Sequence, residues 1–95
     1  MKLPVDYTTL DWRKGETKAV RDEYVKLQGG TCFYCGHHLS SPPPEDIQAL
    51  SVDWRLFPPG FQKHPVHLQH DHQTNMTEGA VHMKCNAVMW QYEGR

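Results

Sequence analysis

Three absences in the sequence narrow the class of protein. No apolar run approaches the roughly 20 residues that a membrane span needs, and no secretory hydrophobic segment follows Met1, so we expect a cytoplasmic protein with no membrane partner. There is no basic excess: ten Lys and Arg stand against eleven Asp and Glu, for a net charge of -1, whereas nucleic-acid-binding domains are often strongly basic. The three cysteines are an odd number, which argues against a pure disulfide framework.

The chain is long enough for one small domain. Its 95 residues, 38% of them hydrophobic, include seven prolines and seven glycines, so the apolar core must be small. A domain of this size commonly needs added stabilisation, for which a metal ion is one source. We expect residues 1–95 to form a single domain without an internal repeat.

One amphipathic helix is evident in the N-terminal half of the chain. Apolar residues recur there at the spacing of one helical face, as Val20, Tyr24 and Leu27. Two consecutive glycines end the pattern, so the sequence predicts a helix over residues 16–28. Residues 1–15 show no period and predict an irregular arm.

The rest of the chain predicts a loop, a strand and a second helix. Residues 40–63 contain two proline clusters and predict a loop with at most one short strand, around residues 50–56. Residues 66–72 predict a strand that enters a turn, and residues 82–93 predict the final helix. Trp90 on that helix is expected to pack in the core, with base stacking as the alternative for the tryptophans.

Two pairs of soft metal ligands stand far apart in the sequence. Cys32 and Cys35 form one pair with two residues between them, and His82 and Cys85 form the other. Zn²⁺ prefers thiolate and imidazole, and this spacing lets two ligands from one turn reach the same ion. We expect one structural zinc ion that joins a knuckle turn to the first turn of the final helix. The alternative is three buried apolar cysteines with a histidine beside them by coincidence.

A second group of polar residues lies in the second half of the predicted strand. His70 and His72 alternate with Gln69 and Asp71, so in a strand the two pairs would occupy opposite faces. Imidazole titrates near neutral pH and can act as the general base in phosphodiester hydrolysis. The amide oxygen of Asn86 can bind a hard cation such as Mg²⁺. The alternatives are a second zinc-like cluster or exposed histidines without a function.

Three basic residues are candidates for contacts with DNA phosphates. Lys14, Lys18 and Arg21 are predicted to share one helical face that is separate from the apolar face. They could follow a phosphate backbone, although a solvated charged face is the commoner explanation.

The two groups of ligands together resemble a known nuclease family, the HNH nucleases of the phage recombination endonuclease (endonuclease VII) type. The resemblance covers residues 32–35 and 66–90, about a third of the chain. It implies an α+β, ββα-metal fold: two antiparallel strands and a helix around a catalytic cation, buttressed by structural zinc, here with an added N-terminal helix. The matching residues are Cys32-x-x-Cys35, Leu68-Gln69-His70-Asp71-His72-x-Thr74 and Gly79-x-x-His82-x-x-Cys85-Asn86.

The resemblance also implies a role for each residue. His70 takes the position of the general base, and His72 that of a histidine beside the scissile phosphate. Asn86 takes the position of a ligand to a catalytic divalent cation (Mg²⁺, Mn²⁺ or Ni²⁺), with Gln69 or Asp71 as a further ligand. The implied structural zinc ligands are Cys32, Cys35, His82 and Cys85.

The activity implied by the resemblance is metal-dependent nicking or cleavage of DNA. The products would carry 5′-phosphate and 3′-hydroxyl ends, and the setting would be the cytoplasm of a bacterial or phage-infected host cell. A homodimer stays open, since cutting both strands needs two active sites or two visits.

Three departures from the family pattern leave another class of function open. Gln69 stands where the family usually has an acidic ligand, and a neutral amide binds Mg²⁺ more weakly than a carboxylate does. Glu78 replaces the usual arginine and removes one phosphate contact, whereas His82 in place of a cysteine suits zinc equally well. The alternative function is a catalytically weak, zinc-stabilised nucleic-acid-binding or protein-interaction module.

Overall fold

A hairpin of two antiparallel strands, followed directly by a helix, forms the centre of the fold. The computed structural model, which describes residues 1–95, has an α+β architecture with one two-stranded sheet and three α-helices. Val66 pairs with His82, and the register shifts between Gln69 and His70. In chain order the elements are α1 (Glu16–Leu27), α2 (Glu45–Ala49), β1 (Val66–His70), β2 (Thr77–His82) and α3 (Met83–Glu93).

Both predicted helices form, with differences at their edges. On α1, Val20 and Tyr24 are buried as expected, but Leu27 is 66% exposed. The final helix begins at Met83, so the prediction that His82 lies in its first turn is wrong. His82 has an extended backbone, with ψ of 147°, because it still pairs with Val66 as the last residue of β2.

The proline-rich loop contains short helical pieces instead of a strand. Besides α2, it forms 3-10 turns at Trp54–Leu56 and Phe61–Lys63. The Asp53 carboxylate accepts a hydrogen bond from the backbone N–H of Arg55 at 3.1 Å, and this local bond favours a turn over an extended strand. The strand allowed for residues 50–56 therefore does not form.

The N-terminal arm is more ordered than its sequence predicts. The backbone N–H of Thr77 donates to the carbonyl of Val5 at 2.9 Å, and the N–H of Tyr7 donates to the carbonyl of Asn75 at 2.7 Å. The N–H of Val5 in turn donates to the hydroxyl of Thr77 at 3.0 Å. These bonds attach the arm to the start of β2 and hold Tyr7 beside the end of β1.

The core lies between α1, the hairpin and α3. The hydroxyl of Tyr24 is buried but satisfied, since it bonds to the carbonyl of Thr77 at 3.1 Å. No helix combines the length and the apolar character that crossing a membrane requires. The buried apolar side chains that fill this core include Val20, Tyr24, Leu68, Val81 and Met89.

Gly79 is required where β2 meets the segment that follows α1. A Cβ atom at this position would lie 2.9 Å from the Cβ of Phe33 and 2.7 Å from the Oε1 of Gln28. Phe33 cannot easily retreat, because its backbone N–H donates to the carbonyl of Ala80 at 2.9 Å. The Gln28 amide is held as well, since its Oε1 accepts the Ala80 N–H at 2.8 Å.

Gly79→Ala is expected to lower the free energy of unfolding by about 1–3 kcal/mol, because the added methyl group overpacks this contact. Urea denaturation of the zinc-loaded protein measures the change. The Gly79→Ala/Phe33→Gly double variant should lose less than the sum of the two single variants, since the second substitution removes the Phe33 side chain from the clash. An unchanged midpoint for Gly79→Ala would mean that the contact is looser than described.

Candidate metal centre and adjoining cavity

Four side chains from distant parts of the chain converge on one point. The ligand atoms of Cys32, Cys35, His82 and Cys85 all lie within 4.8 Å of one another. Cys32, His82 and Cys85 are buried, and Cys35 is partly buried. The four residues that the sequence predicts as zinc ligands are therefore brought together.

A tight turn presents the first pair of ligands. The backbone N–H of Gly36 donates to the carbonyl of Cys32 at 3.0 Å, and the N–H of Cys32 donates to the carbonyl of His37 at 2.8 Å. Gly36 has φ of +78°, a left-handed conformation that glycine adopts without strain. The N–H of Tyr34 points at the Cys32 sulfur, 3.4 Å away, as expected beside a negatively charged thiolate.

The ring of His82 is oriented for metal binding by two backbone carbonyls. Its Nε2 lies 2.9 Å from the carbonyl oxygen of His38 and 2.8 Å from that of Ser41, so Nε2 carries the proton and donates. Nδ1 is then the free acceptor, and it faces the sulfurs of Cys35 at 3.4 Å and Cys85 at 3.6 Å. A tetrahedral zinc ion with usual bond lengths places nitrogen and sulfur ligands about 3.6 Å apart.

The three thiols of the cluster differ in acidity. The hydrogen bond with Cys85 lowers the pKa of Cys32 to about 4, and the same contact raises the pKa of Cys85 far above its usual range. Burial raises the pKa of Cys35. A bound divalent cation favours the thiolate form of all three. The donor set is compatible with one structural metal ion such as Zn²⁺.

A cavity of about 490 Å³ adjoins β1 and α3. Some of the polar residues predicted to act together line this one cavity. Asp71, Lys14 and Lys18 lie outside its lining. No Asp or Glu is among the lining residues. The residues singled out from the sequence that line the cavity are Arg21, Gln69, His70, His72 and Asn86.

His70 is held in the cavity between two other rings. It stacks on Tyr7 with ring centroids 4.0 Å apart and an angle of 10° between the planes, and its centroid is 4.6 Å from that of His72. Burial lowers the pKa of His70, and the neighbouring His72 lowers it further. The imidazole is therefore neutral near pH 7 and can accept a proton.

The side chain of Asn86 is hydrogen-bonded to His67, a histidine to which the sequence assigns no role. Its Nδ2 lies 3.0 Å from the Nδ1 of His67, and because an amide nitrogen only donates, His67 accepts. Burial lowers the pKa of His67, which keeps the accepting nitrogen unprotonated. This bond turns the amide so that Oδ1 stays free for another ligand. The signal in the sequence was the unassigned histidine two residues before Gln69.

The prediction that Gln69 and Asp71 share a strand face is wrong. Gln69 is only 1% exposed, and its Nε2 donates to the carbonyl of His70 at 3.0 Å and approaches Glu78 Oε1 at 3.4 Å. Asp71 lies beyond the end of β1, where its carboxylate accepts the backbone N–H groups of Gln73 at 2.7 Å and Thr74 at 3.0 Å. Those two bonds lower the pKa of Asp71. The carboxylate therefore stabilises the turn that follows β1.

The three basic residues do not form one helical face. Lys14 lies in a 3-10 turn before α1, because Gly15 separates the two elements with φ of +77°. Lys18 pairs with Asp22 at 2.6 Å, and Arg21 contacts the same carboxylate at 3.2 Å. Only Arg21 reaches the cavity, so the predicted basic stripe is reduced to one residue.

Aromatic side chains line part of the same cavity, and the sequence did not predict this. Phe57, Phe61 and Trp90 are among its lining residues. Trp90 is 41% exposed, so the prediction that it packs in the core is wrong. It contacts the edge of Phe57 with centroids 5.4 Å apart because the proline-rich loop folds back over α3.

Comparison with protein-family models, curated proteins and solved structures finds no match to this chain. The function is therefore inferred from the geometry of the metal-ligand cluster, of the histidines and amides in the cavity, and of the aromatic side chains beside them.

Proposed function

We propose that the protein is a metal-dependent endonuclease of the HNH type, which nicks or cleaves DNA by hydrolysing phosphodiester bonds. The observation that carries the proposal is the shared cavity of His70, His72, Gln69 and Asn86. A base, a second imidazole and two amide oxygens in one cavity are the groups that this hydrolysis uses.

The metal-ligand cluster lies outside this cavity but would fix the elements that carry its residues. His82 ends β2 and Cys85 lies in the first turn of α3, so a bound ion would fix the angle between strand and helix. Asn86 is the next residue, and β1, which carries His70, pairs with β2. The structural ion would therefore set the distance between the base and the amide without taking part in the reaction.

The chemical roles follow from the side chains in the cavity. Neutral His70 takes a proton from water, the water oxygen attacks phosphorus, and the bond to the 3′ oxygen breaks. His72 and Arg21 contact the non-bridging oxygens, on which negative charge grows. A divalent cation, when bound, supplies charge stabilisation for the phosphate and the departing oxygen.

The residues that would hold this cation are amides. The cavity lining has no carboxylate, and Asp71 is occupied by backbone N–H groups. Asn86 Oδ1 and Gln69 Oε1 are the oxygen ligands that remain, and imidazole nitrogens lie beside them. Neutral oxygen and nitrogen ligands suit Mn²⁺ or Ni²⁺ better than Mg²⁺, so we expect activity at high cation concentration with that preference.

Gln69→Asp is expected to increase the nicking rate at limiting Mg²⁺, because it places a formal negative charge beside a hard dication. The same change should lower the melting temperature of the protein without added Mg²⁺, since the new carboxylate would be buried and unpaired and would lose the amide nitrogen that lies 3.4 Å from the Glu78 carboxylate. Nicking rate against Mg²⁺ concentration, together with thermal melts at both extremes, measures the two effects. Gln69→Asn is the matched neutral control.

Asp71→Asn separates the two candidate ligands. It should leave the dependence on Mg²⁺ concentration unchanged and change stability little, because the side-chain oxygen of asparagine can accept the same two turn hydrogen bonds. If Asp71→Asn abolishes activity while Gln69→Asp has no effect, the cation is bound by Asp71 and this assignment is wrong.

A DNA-binding module with little or no catalysis is the second candidate. The absence of a carboxylate from the cavity lining favours it, because a weakly held cation would give a slow reaction. The two candidates differ in the products they leave. With added Mn²⁺ or Ni²⁺, a nuclease of this type converts supercoiled plasmid to nicked circles that DNA ligase reseals, since the ends are 5′-phosphate and 3′-hydroxyl. A binding module shifts the plasmid in a gel and leaves it supercoiled.

A further inference from the structure

The aromatic wall of the cavity consists of Phe57, Phe61 and Trp90. Phe57 lies between the other two, with ring centroids 4.5 Å from Phe61 and 5.4 Å from Trp90. Phe61 continues to His67 with centroids 4.6 Å apart. The wall is therefore continuous with the imidazole and amide groups of the cavity. Trp90, at its other end, is 41% exposed to solvent.

Trp90 is placed next to the proposed reacting groups by the period of α3. It follows Asn86 by four residues, so the two side chains lie on the same helical face about one turn, or roughly 5.4 Å, apart. Both line the cavity. A nucleotide next to a phosphate at the proposed cation site beside Asn86 would bring its base to the indole ring.

The protein has few basic residues for phosphate contacts, so base stacking could supply a larger share of its affinity for DNA. The net charge is -1, and Arg21, which lines the cavity, already contacts Asp22. Phosphate contacts supply most of the affinity in strongly basic DNA-binding proteins, and here they are few. One base stacked on an aromatic side chain contributes roughly 5- to 150-fold in affinity.

We propose that the aromatic wall is a stacking subsite for one unpaired nucleobase beside the phosphate that is cut, so that the substrate is single-stranded or locally unpaired DNA. The reason is geometric: a base presents its face to a side chain only after it leaves the helical stack. This inference rests on the proposed nuclease function, and it adds the form of DNA that the cavity accepts.

Fluorescence anisotropy with the zinc-loaded protein tests the subsite without any cleavage, because no second cation is added. The probes are a fluorescein-labelled oligothymidylate and a blunt duplex of equal length. The parent should bind the single strand about tenfold more tightly than the duplex. Trp90→Leu keeps apolar bulk and should lose about fivefold or more of the single-strand affinity, whereas Trp90→Phe keeps an aromatic face and should stay within about twofold.

Trp12→Leu is the matched control, since Trp12 is 73% exposed and lies outside the cavity lining. It should bind both probes as the parent does. Zinc content and circular dichroism of each variant show that the fold is retained. Equal affinity for the two probes, or parental single-strand affinity in Trp90→Leu, overturns the subsite.

Nicking assays on the same variants keep this inference separate from the proposed function. A protein that binds single strands through Trp90 but cuts no DNA supports the subsite and overturns the nuclease proposal. A protein that cuts duplex and single strand at equal rates, with no change in Trp90→Leu, supports the nuclease proposal and overturns the subsite.

Discussion

Cys85→Ala is expected to leave the chain largely unfolded. Only 15 of the 95 residues are buried, and the ligand cluster joins the turn at Cys32 to β2 and α3. Zinc bound by such a set of ligands contributes about 10–16 kcal/mol in small zinc domains, which equals or exceeds the whole stability of a typical domain. Removal of one thiolate, or of the metal by a strong chelator, should therefore abolish the cooperative fold.

Far-UV circular dichroism and zinc content measure this effect. His37→Ala is the matched control: His37 is an exposed histidine beside the knuckle turn, to which it contributes only backbone groups. It should keep one zinc per chain and the parental spectrum. If metal-free Cys85→Ala keeps that spectrum as well, the cluster does not hold the fold together.

His70→Ala is expected to reduce nicking by about 10²- to 10⁴-fold, the usual contribution of a general base. Its zinc content should be unchanged, because His70 is not among the clustered ligands. Thermal stability should fall only slightly, by the loss of one ring stacked on Tyr7, roughly 0.5–1.5 kcal/mol. Rates at saturating Mn²⁺, together with melting temperatures, separate a chemical defect from a folding defect.

Asn86→Ala should lose activity in a different way. It removes a proposed ligand, so a higher cation concentration should restore part of the rate, whereas His70→Ala should not respond to added cation. A His70→Ala protein that cuts DNA at the parental rate would rule out the proposed base.

The ligand cluster could be predicted from the sequence because metal chemistry fixes both the residue types and their spacing. Cys32, Cys35, His82 and Cys85 needed no knowledge of the loop between them. The carbonyls of His38 and Ser41 that orient His82 could not be predicted, since every residue has a backbone carbonyl and only the loop conformation selects these two.

The strand-face prediction failed for a local reason. The alternation of faces holds only while a strand continues, and β1 ends at His70 after a shift in register. The Asp71 carboxylate then accepts the backbone N–H groups of Gln73 and Thr74. Aspartate commonly forms such bonds in turns, so the sequence did contain this signal.

The wall beside the histidines depends on contacts between distant segments. Phe57 meets Trp90, and Tyr7 meets His70, across long stretches of chain. Hydrophobic periodicity along the chain predicts single helices and strands. It does not predict which loop or arm packs against a given helix. These contacts became visible only in the fold.

The proposed catalytic cation site is tested by the rate at which the zinc-loaded protein nicks supercoiled plasmid as Mg²⁺, Mn²⁺ or Ni²⁺ is added. We predict no nicking with the structural zinc alone, and a rate that rises with the second cation and is greater with Mn²⁺ or Ni²⁺ than with Mg²⁺. Absence of nicking with all three cations, or nicking that is equally fast without any, would contradict a catalytic cation site beside His70 and Asn86.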